Sequence, residues 1–249
     1  MRKLSIDRKF GRQAFGLDPA GYHAARPAYP DWVFDALRER CGLAPNTATF
    51  EIGAGTGIAT EPLVRRGVSV TAIEPSPQMA AMAQAKLGDR ASVFVGRFED
   101  YSGPGPVQLV AAFNAWHWVT PHVAVDRVAE LLAPGGCLAL IWTEVVSWGA
   151  EPFAERLAHV SGYPWVNRLD HVDGSMQPIR DDVRFEPLLV LHHVFERTLD
   201  AAAFVAVTKT YGGQRTDEQY DAIARIVNDE FEGSITKVED AALYIWRRR

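Results

Sequence analysis

One short run constrains this chain more than any other: Glu51-Ile52-Gly53-Ala54-Gly55-Thr56-Gly57. Before it, Thr47 to Ile52 is short and rich in β-prone residues; after it, Ile58 to Arg66 has helical spacing and stops at Gly67. The order strand, tight turn, helix puts a backbone almost free of side chains where a bulky ligand can approach closely. A dinucleotide fingerprint, G-x-G-x-x-G, needs its third glycine at position 58, but that residue is Ile58 and the third glycine is Gly57. The spacing argues against a nicotinamide cofactor.

The stretch that follows keeps the same alternation. Val68 to Ile73 reads as a strand ending at Glu74, about 20 residues past Gly53, where a carboxylate accepts hydrogen bonds from both hydroxyls of a ribose. Taken singly, Glu51 is an ordinary strand-end charge and Glu74 a helix-cap acid before Pro75; at these joint positions the ligand-binding reading prevails. Met79 to Leu87 reads as a helix, Ala91 to Val95 and Val107 to Phe113 as strands, and Val123 to Leu132 as a helix halted by Pro134-Gly135-Gly136. Cys137 to Trp142 is apolar without alternation, as a strand covered on both faces should be, so the pattern predicts a parallel α/β sheet.

Outside this region the rhythm is weaker. The segment through Pro30 reads as a lid or loop, and Asp31, Trp32, Val33, Phe34 and Leu37 predict a helix that stops at Gly42. Pro152 to Val160 looks helical, whereas Ser161 to Pro187 shows no clear period and reads as a substrate-shaping insertion. Leu188 to Phe195 and Asp240 to Trp246 read as strands, and Asp200 to Tyr211 and Thr216 to Phe231 as helices. With no repeat or low-complexity linker, residues 1–249 are expected to form a single domain. It comprises an N-terminal cap and first helix (1–45), a cofactor-binding core (46–143), a substrate-side insertion (144–187) and C-terminal strands and helices (188–249).

Composition narrows the partners. Of 249 residues 47% are hydrophobic, enough for a substantial core, and the net charge of -5 argues against nucleic acid. Cys41 and Cys137 have neither disulfide-framework nor zinc spacing, and His192-His193 alternate across a strand without metal spacing, so no metal is expected. No apolar run approaches the roughly 20 residues needed to span a bilayer, and the N-terminus lacks a signal-peptide core, so the expectation is a cytoplasmic protein, monomer or homodimer, without a membrane partner.

Five segments together carry a family likeness: Glu51 to Gly57, Glu74-Pro75-Ser76, Gly96-Arg97-Phe98-Glu99-Asp100, Ala115-Trp116-His117-Trp118 and Leu132-Ala133-Pro134-Gly135-Gly136. Through them the chain resembles the class I S-adenosylmethionine-dependent methyltransferases, in particular the type 11 methyltransferase domains that include trans-aconitate methyltransferases and related small-molecule enzymes. The resemblance implies a Rossmann-like α/β fold, a seven-stranded mostly parallel sheet with helices on both faces, and S-adenosyl-L-methionine as cofactor. It implies that Glu51, Gly53, Ala54, Gly55, Thr56 and Gly57 cradle the methionine part, that Glu74 with Pro75, Ser76 and Met79 serves the ribose, and that Arg97 and Phe98 line the adenine. Arg97 stands where many relatives carry a small or acidic residue, which leaves the backbone of Phe98 to meet the adenine. Asn114 and Ala115 complete the cofactor set, and the stretch Tyr22 to Pro30 resembles a family motif in which the arginine, here Arg26 beside Tyr22, pairs with the cofactor carboxylate.

A sulfonium methyl is already activated, so the expected chemistry is in-line displacement with the nucleophile at about 3–3.5 Å and water excluded. A hydroxyl or amine acceptor would profit from a base, for which His117 is the candidate, with a structural histidine between aromatics as the competing reading. Tyr29, Trp116, His117, Trp118, Trp148 and Trp165 are expected to line the acceptor pocket, and Arg168 and Arg180 are candidates for holding an acceptor carboxylate. The function expected is methyl transfer to a small-molecule acceptor. The alternatives are a non-catalytic S-adenosylmethionine-binding protein and a nicotinamide-dependent oxidoreductase.

Overall fold

The computed structural model describes residues 16–161, 169–211 and 215–249. Its strands are β1 (Ala48–Ile52), β2 (Ser69–Glu74), β3 (Ala91–Val95), β4 (Val107–Phe113), β5 (Leu132–Trp148), β6 (Phe185–Asp200) and β7 (Ser234–Arg248). They form one seven-stranded sheet in the order β3-β2-β1-β4-β5-β7-β6. The pairs from β3 through β5 are parallel, and β7 is inserted antiparallel between β5 and β6. Around the sheet lie α1 (Pro19–Ala25), α2 (Asp31–Cys41), α3 (Thr60–Arg65), α4 (Pro77–Leu87), α5 (Pro121–Leu131), α6 (Glu151–Ser161), α7 (Leu169–Arg180), α8 (Ala201–Lys209) and α9 (Asp217–Arg225).

Successive side chains of a strand point to opposite faces, so a strand with both faces covered has no polar alternation. In β4, Val110 and Ala112 join one buried cluster with Phe50, Leu138 and Trp142, while Leu109 and Ala111 join another with Val33, Phe34, Leu37 and Leu63. That two-sided burial is the physical content of the continuous apolar runs, and it matches the expected doubly covered sheet. A third cluster sits where β5 and β7 run past the sheet body: Phe153 contacts Phe204, Phe231 and Trp148 at ring-centroid distances of 5.2, 5.1 and 5.0 Å.

Three expectations need correction. The supposed loop before Pro30 contains α1, started by Asp18, whose carboxylate accepts from Gly21 N at 2.9 Å, and by Pro19 at the first helical position. None of its residues is fully buried, so it carries no apolar stripe for a periodicity reading to find. The region of 161–187 without apparent period contains α7, whose buried Val172, Met176 and Ile179 do recur at helical spacing; Gly174 and Pro178 mask the pattern. The last strands are also longer than the expected 137–142, 188–195 and 240–246, because β5, β7 and β6 continue to pair with one another beyond the parallel sheet. Much of β6 is exposed, so its outer half carries no apolar signature.

Removing the Phe153 ring, which is fully buried, would leave a cavity in the third cluster. Phe153→Ala is expected to cost about 3–5 kcal/mol of unfolding free energy, read from the midpoint and slope of a urea transition.

Candidate active site

The strand order places the chain's reversal between β1 and β4, the point at which open α/β sheets leave a crevice at their carboxyl ends. The glycine turn leaves β1 there. Gly53 N and Ala54 N both donate to Ile73 O, at 2.8 and 3.2 Å, which fastens the turn to β2. Gly53 has φ +66°, and a Cβ on it would stand 2.6 Å from the Cβ of Ala115, so the close approach of β4's end requires glycine. Gly55 has φ +59°, yet the nearest atom to an added Cβ is Met79 Cε at 3.7 Å. Its far side is open.

Glu74 ends β2 and closes the arrangement. Its Oε2 accepts from Gly55 N and its Oε1 from Ser76 N, both at 2.8 Å. Burial raises the Glu74 pKa, and the two N–H donors oppose that shift by favouring the charged form. Each carboxylate oxygen accepts more than one hydrogen bond, so both have capacity left for hydroxyl donors. Ser76 also caps α4, accepting from Met79 N at 3.4 Å.

Two adjacent cavities occupy the crevice, with about 1060 and 1040 Å³ of empty space including the part open to solvent. Tyr22, Arg26, Gly53, Gly55, Asn114 and Tyr211 line both. The first cavity continues along Glu74, Pro75, Met79, Arg97, Phe98 and Ala115 to His117, Trp118 and Glu144. The second continues along Glu51, Ala54, Thr56 and Tyr29 to His193, Phe195, Arg197 and Glu239.

Helix α1 lies against this crevice. Lys86 Nζ, which can only donate, is 3.1 Å from His23 Nε2, so the neutral ring carries its proton on Nδ1 and donates to Thr56 Oγ1 at 2.8 Å. Burial, with the Lys86 charge beside it, lowers the His23 pKa and keeps that ring neutral. Just past α1, Arg26 donates to Thr210 O at 3.2 Å, and its guanidinium lies over the rings of Tyr211 and Tyr22 at 4.9 and 5.4 Å. Opposite α1, Asn114 has φ +52° and fixes the end of β4: its Oδ1 accepts from Thr143 N at 2.9 Å and its Nδ2 donates to the Tyr29 hydroxyl at 3.0 Å.

Arg26 Nε and Glu51 Oε2, beside the glycine turn, and Arg97 Nε, farther along the first cavity, are buried without a hydrogen-bond partner. Burial, opposed by the neighbouring Thr60 hydroxyl and reinforced by the Glu74 carboxylate, pushes the Glu51 pKa up to about 8. A cationic donor atom and a carboxyl oxygen left unpaired beside one glycine turn are complementary to a ligand that carries an anion and an ammonium together.

The expected site residues divide as follows. Tyr22, Arg26, Glu51, Gly53, Ala54, Gly55, Thr56, Glu74, Pro75, Met79, Arg97, Phe98, Asn114 and Ala115 line one or both cavities, as do Tyr29, His117 and Trp118. Gly57 and Ser76 do not. A Cβ on Gly57 would stand 3.3 Å from Leu87 Cδ1, so this glycine serves helix packing, and Ser76 acts on Glu74 and α4. Trp116 is also withdrawn from the expected acceptor pocket: its ring is buried and its Nε1 donates to Ser175 O at 3.1 Å, beneath α7. Trp148 packs in the aromatic cluster around Phe153 instead. Trp165 and Arg168 lie outside the described residues. Arg180 pairs with Asp173 at 2.6 Å and lines neither cavity. Arg97 pairs with Glu99 at 3.0 Å, and Glu99 in turn accepts from Thr120 N at 2.8 Å. Glu144, Tyr211, Arg197 and Glu239 are absent from the expected set; they come from the outer ends of β5, β6 and β7 and from just past α8, and Glu239 precedes the strand expected at 240–246.

Residues 50–136 match the family described as a methyltransferase domain. An uncharacterized methyltransferase of Mycobacterium tuberculosis is 33% identical over 185 residues, covering 72% of this chain and 67% of that protein. One from Geobacillus kaustophilus is 38% identical over 110 residues, covering 43% of this chain and 49% of its own. Among solved structures, a methyltransferase from Thiobacillus denitrificans, described as S-adenosylmethionine-dependent and bound to S-adenosylhomocysteine, superimposes with a TM-score of 0.54 at 14% identity, covering 99% of this chain and 100% of its own. The YcgJ protein of Bacillus subtilis gives a TM-score of 0.58 at 13% identity, covering 88% of this chain and 99% of its own. With the sheet order, the glycine turn and these relatives in agreement, the chain belongs to the class I S-adenosylmethionine-dependent methyltransferases.

Proposed function

We propose that this protein transfers the methyl group of S-adenosylmethionine to a small-molecule acceptor by in-line displacement in the crevice above β1 and β4. One observation carries the reading: the buried Glu74 carboxylate and the open side of Gly55 share a wall with Phe98, while Arg26 Nε and Glu51 Oε2 are left without a hydrogen-bond partner at the other end of the same turn. When bound, S-adenosylmethionine supplies a methyl group already activated by the sulfonium charge, so the protein's part is positioning and the exclusion of water. Glu74 accepts the ribose hydroxyls and Phe98 and Met79 flank the adenine side, while Arg26 meets the carboxylate of the methionine end and Glu51, shedding its proton, meets the ammonium. Helix α1 and Arg26, anchored to Thr56, Lys86 and Thr210, close that end against water.

His117 is better read as a positioning group than as a base. The indole Nε1 of Trp142 donates to His117 Nδ1 at 3.2 Å, and an indole N–H can only donate. The Nδ1 lone pair is therefore engaged and the neutral ring carries its proton on Nε2, so toward a ligand it donates a hydrogen bond. An acceptor that is already a nucleophilic anion needs no base, and the arrangement suits one.

S-adenosylhomocysteine is expected to raise the melting temperature of the protein while NAD(P) does not, and a panel of small acids, phenols and amines is expected to yield a cofactor-dependent mass gain of one methyl. Stabilisation by NAD(P) alone would overturn the proposal. Glu74→Ala should weaken S-adenosylhomocysteine binding by about 1.5–3 kcal/mol, the range for hydrogen bonds to a charged group; unchanged calorimetric affinity would remove Glu74 from the site. Glu51 supplies a pH test. Its folded pKa, about 8, lies above its ordinary value of 4.5, so across that window the folded protein keeps a proton that the unfolded chain has lost. Stability of the cofactor-free protein should fall as pH rises from about 5 to 8, and Glu51→Gln should flatten that decline and give the more stable protein at pH 8, as measured by denaturant unfolding at several pH values.

A further inference from the structure

The outer ends of β6 and β7 hold a charge cluster that the cofactor does not account for. In the antiparallel register Arg197 stands opposite Lys237 and Phe195 opposite Glu239, which puts all four on one face. Arg197 donates to Glu239 through Nε at 2.7 Å and through Nη2 at 3.1 Å, and Lys237 Nζ reaches the same carboxylate at 2.9 Å. The Lys237 and Glu239 side chains are only 1% and 4% exposed, whereas Arg197 is 22% exposed and lines the second cavity. Two cations thus share one carboxylate, leaving one buried positive charge uncompensated beside a cavity, a costly state unless an anion completes it.

Among the described residues, Glu51 is the other acid in the lining of that cavity, and Glu144 lies in the lining of the adjoining one, where it acts on Arg26. Burial holds Glu51 protonated at neutral pH. Arg26 adds a further cation, whose charged form the Glu144 carboxylate of the adjoining cavity favours, so Glu144 does not offset the excess at Arg197. Once the cofactor's carboxylate and ammonium face Arg26 and Glu51, the excess at Arg197 stays. Its bonds to Glu239 use Nε and one hydrogen of Nη2, so the outer end of the guanidinium, Nη1 with the second Nη2 hydrogen, is a two-pronged donor of the shape a carboxylate accepts. Around it Tyr29, Phe113, His193 and Phe195 offer aromatic walls for the body of a ligand.

We propose that the methyl acceptor is a carboxylate-bearing small molecule with an apolar or aromatic body, and that Arg197 binds its carboxylate while Lys237 and Glu239 hold the guanidinium in place. The proposal rests on the methyltransferase reading of the crevice and gives the anion-holding role to Arg197, where the sequence had pointed to Arg168 or Arg180.

The probe is acetate, the smallest carboxylate, titrated at constant ionic strength into the full chain saturated with S-adenosylhomocysteine, with acetamide as the uncharged control. A saturable rise in melting temperature with acetate and none with acetamide is expected. Arg197→Gln should weaken the acetate response roughly tenfold or more, Arg197→Lys should fall between, and both should bind S-adenosylhomocysteine as the parent does. Lys237 still pairs with Glu239 in these variants, and the unchanged cofactor affinity certifies their folding. An acetate response no larger than that of acetamide, or one that survives Arg197→Gln, overturns the proposal while leaving the methyltransferase reading intact. Failure of the parent to bind S-adenosylhomocysteine overturns both.

Discussion

The site depends on one carboxylate. Glu74 receives the N–H of Gly55 from the turn after β1 and the N–H of Ser76 from the turn after β2, so a single side chain ties together two loops that no continuous ladder joins. The glycine turn needs that tie: Gly53 N and Ala54 N find Ile73 O and Gly57 N finds Ala54 O, whereas Gly55, at positive φ, gives its N–H to the Glu74 carboxylate. The same burial that raises the Glu74 pKa strengthens each of its hydrogen bonds. A rigid wall for the cofactor and a carboxylate able to receive a ribose are therefore one feature.

Around this centre the protein arranges charge in unequal amounts. Arg26 and Glu51 are buried with atoms left unpaired, and Arg197 and Lys237 divide a single Glu239. Groups in this state cost stability in the empty protein and regain it when a complementary ligand arrives. Pre-formed imbalance of this kind is how a site gains affinity without moving, and here the anchors are on rigid strands and on a helix docked through His23 and Arg26. The pairing of Trp142 with His117 adds a second fixed donor on the opposite wall.

The central sheet and the cofactor turn were legible because local rules and burial agree there. Strands covered on both faces must be apolar throughout, so β1, β4 and the middle of β5 announce themselves. Elsewhere the signals conflict or vanish. Helix α1 has no buried stripe, α7 contains Gly174 and Pro178, and β6 is an edge strand whose exposed residues look like loop. Tryptophans misled for a related reason: a large ring near a site in sequence is as readily drawn into packing, as Trp116 is beneath α7 and Trp148 is beside Phe153.

By itself the sequence determined the class of fold, the place of the cofactor turn and the acid that answers it, all of which follow from residues close along the chain. Only the tertiary structure decided what the far wall of the crevice is made of. The antiparallel return of β7 between β5 and β6 brings Glu144, Arg197, Lys237 and Glu239 toward a turn that lies 90 to nearly 190 residues away in the chain. Such contacts are set by strand register over long separations, and a one-residue slip would turn those charges to the other face.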